Sequence, residues 1–211
     1  GYHSIACGIS KSPEDQTVLQ ANSAILRKIV LQKIRSIQAE CAEARIVFIY
    51  CNSLSGAVNV PLLRTALGQS FTVISPLASY QEMGRCYHKI ALLTANSQSA
   101  GHIEAFLYQA NRSVIVNGMG CLDMVMDIEK KISPNAIINK YSLVEQARLF
   151  KKNGCEALVL GCTHFPYFKK ALVCALSKYK INLPVIDPSA SMLQRLSIIM
   201  ESGHSQLRAR L

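Results

Sequence analysis

The stretch RIVFIYCNSLSG, Arg45 to Gly56, decides how this chain is read. Five apolar or aromatic residues, Ile46 to Tyr50, run without a break into a cysteine, and small polar residues follow. A continuous apolar run of this length, rich in β-branched and aromatic residues, reads as a core strand. Asn52, Ser53 and Ser55 are residues that open a helix. A strand that turns into a helix is half of a βα unit, and Cys51 stands at the junction.

The same pattern recurs along the chain. Short apolar runs at Phe71–Ser75, Lys89–Thr94, Ser113–Asn117, Ala157–Gly161 and Pro184–Asp187 alternate with segments that carry helix signals. Ser12 before Pro13 reads as an N-cap with proline at the first helical position, and an apolar pattern follows through Val18, Ile25, Ile29 and Ile37. Ser142-Leu-Val-Glu145 has the form of a capping box, and Gly154 closes that helix. Alternation of this kind predicts an α/β protein on doubly wound, mostly parallel sheet, with ligands bound beyond the carboxyl ends of the strands.

Composition narrows the classes. The chain has 211 residues, half of them hydrophobic and 17% charged, which suits a folded protein with a real core. No apolar run is long enough to span a bilayer, and GYHSIACG has neither the basic nor the apolar region of a signal peptide, so a cytoplasmic protein without membrane contact is expected. The net charge of +10 raises nucleic-acid binding. The basic residues come at most in pairs, however, with no aromatic residues interleaved as a stacking platform, so they read as solvated helix faces. Such a field draws small anions toward a cleft.

Eight cysteines lie at 7, 41, 51, 86, 121, 155, 162 and 174, with no CxxC pair. This spacing suggests neither a zinc site nor a disulfide framework, and most read as small buried hydrophobes. Two differ. Cys51 and Cys162, 111 positions apart, each follow an apolar strand and precede small polar residues and a helix. That repetition reads as an approximate internal duplication. A thiol at a helix N-terminus is drawn from about 8.5 toward roughly 3.5–7.5, so both are expected to be available as thiolates. Two acid/base thiols suit a reaction in which one removes a proton from carbon and the other returns a proton to the opposite face. Hydrolysis by one cysteine would instead need a histidine and an oxyanion hole. No glycine-rich phosphate cradle is present, so nucleotide use is not indicated.

These residues resemble those of the glutamate racemases. Cys51-Asn-Ser-Leu-Ser55 is similar to their CNTAS segment, and Leu160-Gly-Cys-Thr-His-Phe-Pro166 to their LGCTHYP. Gly8 with Lys11-Ser12-Pro13 is similar to YGxKSP with one extra residue. Thr94-Ala-Asn-Ser97 resembles the TxxT loop, and Cys121 followed by Glu129 resembles the segment ending in the family's pocket glutamate. Val185-Ile-Asp187 resembles the family's late strand, although Asp187 before Pro188 also reads as a helix N-cap.

The resemblance implies two similar α/β domains with the active site in the cleft between them, residues 1–76 plus 187–211 and residues 77–186. It implies Cys51 and Cys162 as the acid/base pair, with His164 and Glu129 assisting proton movement. Cys7, Gly8, Asn52, Ser53, Ser97 and Thr163 would bind the substrate. It implies no cofactor, no metal, a small anionic amino acid as substrate and a possible homodimer. In a bacterium building a cell wall the product, D-glutamate, would go to peptidoglycan.

The chain also departs from the family. Nothing like the opening Asp-Ser-Gly strand precedes Tyr2-His3, so the chain is expected to begin about one βα unit late and the first domain to be incomplete. Cys7, Ser53 and Leu54 stand where Tyr, Thr and Ala are usual. These departures leave two further readings: a relative that binds a small dicarboxylate without turnover, and a one-thiol relative of arylmalonate-decarboxylase type, against which the presence of both cysteines argues.

Overall fold

The computed structural model describes residues 4–208, with side chains described to residue 201. Tyr2-His3 and the last three residues lie outside this range. Among the described residues the chain alternates helices and strands as expected. Two helices, α1 (Pro13–Gln20) and α2 (Ser23–Glu40), lead into strand β1 (Ile46–Phe48). Helices α3 (Asn52–Ala57) and α4 (Val60–Leu67) follow, then strand β2 (Thr72–Ile74) and α5 (Leu77–Cys86). Next come β3 (Lys89–Thr94), α6 (Ser97–Ala110), β4 (Ile115–Gly120), α7 (Leu122–Glu129), α8 (Pro134–Lys140) and α9 (Leu143–Lys152). The chain ends with β5 (Ala157–Leu160), α10 (Pro166–Lys178), β6 (Val185–Ile186) and α11 (Ser189–Arg208).

All strand pairs are parallel. β1 and β2 form a two-stranded sheet, and the other four form a second sheet in the order β4-β3-β5-β6. This is the α/β class the alternation predicted. The central strands are apolar from Ile90 to Leu93 in β3 and from Ala157 to Leu160 in β5, because both their faces are covered. Ala91, Leu93, Leu158 and Leu160 face a cluster that includes Met124 of α7, Ile137 of α8, Ala147 of α9 and Phe168 and Leu172 of α10. Ile90, Leu92 and Val159 face the other way, onto Ile103 and Leu107 of α6 and Tyr80 of α5. That second cluster continues without interruption through Ile49, Ala57, Leu63 and Val73 to Leu26 and Val30 of α2. One apolar core therefore joins the small sheet to one face of the large one. It holds the carboxyl ends of β1 and β5 in a fixed relation.

Several local expectations are corrected. The single apolar pattern from Val18 to Ile37 is broken into α1 and α2 at Asn22, whose side chain accepts from the Ile25 N–H at 3.1 Å. The break changes the helical phase, so Leu26 and Val30 are buried while Val18 and Ile25 are exposed. Ser142 does precede α9, but it lies in the left-handed region (φ 49°) and its side chain makes no capping bond. Gly154 ends that helix at φ +81°, as a closing glycine should. β4 runs on to Gly120, past the expected end at Asn117, because its register against β3 outweighs the poor strand propensity of Gly118 and Gly120.

Candidate active site

The first thiol stands where the apolar run predicted a junction. Cys51 has extended backbone (φ −162°, ψ 123°) and is the N-cap residue of α3, its Sγ accepting from the Leu54 N–H at 3.4 Å. Ser53 Oγ lies 3.3 Å from the same sulfur. A third group comes from α1: Gln16 Nε2 donates to Cys51 Sγ at 3.0 Å and to Ser53 Oγ at 2.7 Å. Behind the thiol, Asn52 is buried and its Oδ1 accepts from the Tyr80 hydroxyl at 2.6 Å. That bond fixes the amide by its oxygen, so the N–H₂ end is what Asn52 can present. Burial, together with the negative charge that Cys162, Asp187 and Cys51 can carry, pushes the Tyr80 phenol well above its ordinary range. It stays a neutral donor.

The second thiol is built differently. Cys162 follows β5 and Gly161, but a turn closed by Phe165 N–H on Cys162 O at 3.1 Å separates it from α10, whose N-cap residue is Phe165. The expectation of a thiol lowered by a helix N-terminus fails here. Cys162 is buried, and burial pushes its thiol up to about 12, against the lowering effect of the His164 backbone N–H. Removing the sulfur from water costs the thiolate more than one N–H returns. Gly161 lets the chain before Cys162 pack closely on β3, because a Cβ there would come within 2.8 Å of Thr94 Cγ2 and 2.9 Å of Leu92 Cδ1.

From Cys162 a chain of contacts leads outward. His164 Nδ1 is 3.6 Å from the sulfur, and His164 Nε2 is 2.7 Å from Glu129 Oε1. Exposure rises along it, with the His164 side chain 35% exposed and that of Glu129 54%. Glu129 is the last residue of α7, and the end of that helix is pinned nearby. Lys140 Nζ at 2.6 Å and the Tyr141 hydroxyl at 2.8 Å both donate to Asp127 Oδ2. The two donors hold the Asp127 carboxyl below its ordinary range.

Both thiols line one cleft of about 250 Å³, together with Asn52, Ser53, Thr163, His164 and Glu129. Three other expected site residues are not in its lining. Cys7 and Ser97 are exposed, and Gly8 borders a separate shallow depression beside α2. Ser10, Lys11 and Ser12, rather than the Cys7-Gly8 backbone, line the cleft there. Asn96 and Ser99 take the place expected of Ser97, with the Asn96 side chain capping α6 by accepting from the Ser99 N–H at 2.9 Å. Asp187 accepts from the Ser189 N–H at 2.9 Å, the helix-capping role. The sequence reading missed Tyr80 and the polar wall of Gln16, Thr17 and Gln20 on α1. The wall did leave a signal: Pro13, Gln16, Thr17 and Gln20 follow the i, i+3, i+4, i+7 spacing of one helix face. Among the described residues, no group of three or more His, Cys, Asp or Glu is placed to hold a metal, and no helix is long and apolar enough to cross a membrane.

The sequence model of the Asp/Glu/Hydantoin racemases matches residues 3–196. The chain belongs to this family. Among curated family members, the glutamate racemase of Shewanella denitrificans is 26% identical over 165 residues, a match covering 78% of this chain and 58% of that protein. The glutamate racemase of Shewanella woodyi is 27% identical, over 89% of this chain and 66% of that protein. The chain thus spans about three-fifths to two-thirds of the length of these racemases. Among solved structures, glutamate racemase from Francisella tularensis in complex with D-glutamate aligns at a TM-score of 0.65, with 17% identity, over 87% of this chain and 66% of that one. Allantoin racemase from Klebsiella pneumoniae aligns at 0.57, with 18% identity, over 95% and 71%. These alignments establish the racemase fold for the chain.

Proposed function

We propose that this protein is a cofactor-independent amino-acid racemase that interconverts L- and D-glutamate, with aspartate as the alternative substrate. The observation that carries the reading is the presence of both strand-end thiols in the lining of one small cleft, each with its own hydrogen-bonding partners. One sulfur takes the Cα proton and the other delivers a proton to the opposite face, so the configuration inverts without a redox step. The Cα–H bond breaks, its electron pair delocalises into the carboxylate, and a new Cα–H bond forms from a cysteine S–H.

The buried Cys162, protonated at neutral pH, suits the acid. His164 and Glu129 return its proton from solvent. Thr163, Ser53 and the N–H₂ of Asn52 supply donors for the substrate's carboxylates, with Lys11 the cation in the lining. In this reading the product serves peptidoglycan synthesis in the cytoplasm, which is the role the resemblance implies.

Proton exchange at Cα, followed by NMR in D₂O with each enantiomer of glutamate and aspartate, tests the proposal. Wild type should wash in deuterium with inversion, and Cys51→Ala and Cys162→Ala should each abolish it. Binding of glutamate without any exchange would leave a dicarboxylate-binding protein and sink the racemase reading.

A further inference from the structure

Gln16 is held at three points. Its Oε1 accepts from the Ser10 hydroxyl at 3.4 Å, and its Nε2 donates to Ser53 Oγ at 2.7 Å and to Cys51 Sγ at 3.0 Å. The amide lies with its oxygen toward Ser10 and its N–H₂ toward Ser53 and Cys51, so it is an N–H that meets the sulfur, as the Leu54 backbone N–H also does at 3.4 Å. An amide N–H cannot accept, and the sulfur facing it must. At the other thiol the polarity is reversed. Glu129 Oε1 lies 2.7 Å from His164 Nε2, and His164 Nδ1 faces the Cys162 thiol, which burial keeps protonated. The Cys162 S–H is then the donor.

We propose that Gln16 is a positioning residue that holds the Cys51 sulfur as a hydrogen-bond acceptor, so that in the resting protein Cys51 takes the Cα proton while Cys162 gives one up. The two walls of the cleft are chemically unequal: a neutral amide serves one thiol and an imidazole–carboxylate pair the other. After one turnover Cys51 carries the proton and Cys162 the charge. His164 and Glu129 then reprotonate Cys162, and Cys51 passes its proton to solvent at the cleft. The enantiomer whose Cα–H faces Cys51 reacts from the resting state, and its mirror image reacts from the form with Cys51 protonated and Cys162 charged, which turnover leaves behind and proton exchange with solvent also reaches. The consequence for turnover rests on the racemase reading, but the state of the sulfur does not.

The test is alkylation by iodoacetamide at neutral pH with peptide mass mapping, on wild type, Gln16→Met and Gln16→Glu. Exposed Cys86 serves as the reference thiol and buried Cys155 as the reporter of unfolding. A hydrogen bond to a charged acceptor corresponds to about tenfold in thiolate population. The more basic sulfur that remains is roughly threefold more nucleophilic, so Cys51 labelling should slow about threefold in Gln16→Met. Gln16→Glu keeps the shape but presents a carboxylate, so labelling should slow further. Cys86 should label at the wild-type rate and Cys155 should stay protected in both.

Wild-type labelling of Cys51 in Gln16→Glu would overturn the proposal. Faster labelling in both variants would overturn it too, by showing that Gln16 merely covers the sulfur. If Gln16→Met exposes Cys155, the isosteric Gln16→Glu decides alone. Because this readout needs no substrate, a protein that labels as described yet exchanges no amino acid would refute only the racemase reading.

Discussion

Tyr80→Phe removes one oxygen from the interior and leaves the ring where it is. The Tyr80 side chain is fully buried, and its hydroxyl is 2.6 Å from Asn52 Oδ1. Asn52 is only 2% exposed, so once the donor is gone water cannot easily replace it. A buried acceptor left without a partner costs about 1–3 kcal/mol. For a chain of this size each kilocalorie corresponds to a Tm change of about 2–4 °C. The expected loss is therefore about 2 kcal/mol, or roughly 4–8 °C in a calorimetric or circular-dichroism melt. Activity should fall as well, because the freed amide can rotate and offer its oxygen where a carboxylate needs a donor. The matching change, Tyr80→Phe with Asn52→Leu, should recover part of the Tm but none of the exchange activity. A Tyr80→Phe melt within 1 °C of wild type (a change of about 0.5 kcal/mol or less) would refute the argument that this hydrogen bond is sealed and unreplaced.

Alkaline pH probes the other thiol. The Cys162 thiol is pushed well above its ordinary value, to about 12, so the unfolded chain releases this proton first. Its contribution to stability is complete below about pH 9 and is lost as pH rises from there toward 12. Urea unfolding should show wild type losing stability over that window more steeply than Cys162→Ser; parallel profiles would contradict the assignment. Gly161→Ala should cost about 1–3 kcal/mol, since its Cβ would press on Thr94, Leu92 and Ile103. It should also lower the deuterium wash-in rate by shifting Cys162, and a variant with unchanged melting and unchanged exchange would argue against the close packing.

Local chemistry settled a large share of this protein. All six short, mostly apolar runs became strands, and the two central ones, β3 and β5, are the most apolar because both their faces are covered. Ser12-Pro13 and Gly154 acted as written because each works through its own backbone. The junctions at Cys51 and Cys162 were legible for the same reason, since a strand end and its following turn lie within a few residues of each other. What the sequence could not determine depends on groups far apart in the chain. Gln16 meets Cys51 across 35 positions, Tyr80 meets Asn52 across 28, and His164 meets Glu129 across 35. The break at Asn22 left only Val18 of the expected stripe in α1, where it is exposed, and the polar face of α1 lines the cleft. The acidity of Cys162 was decided the same way: its sequence suggests a helix N-terminus, but packing buried the sulfur, and desolvation outweighed the nearby N–H. Local order determined where the thiols stand, and long-range packing determined what each one faces.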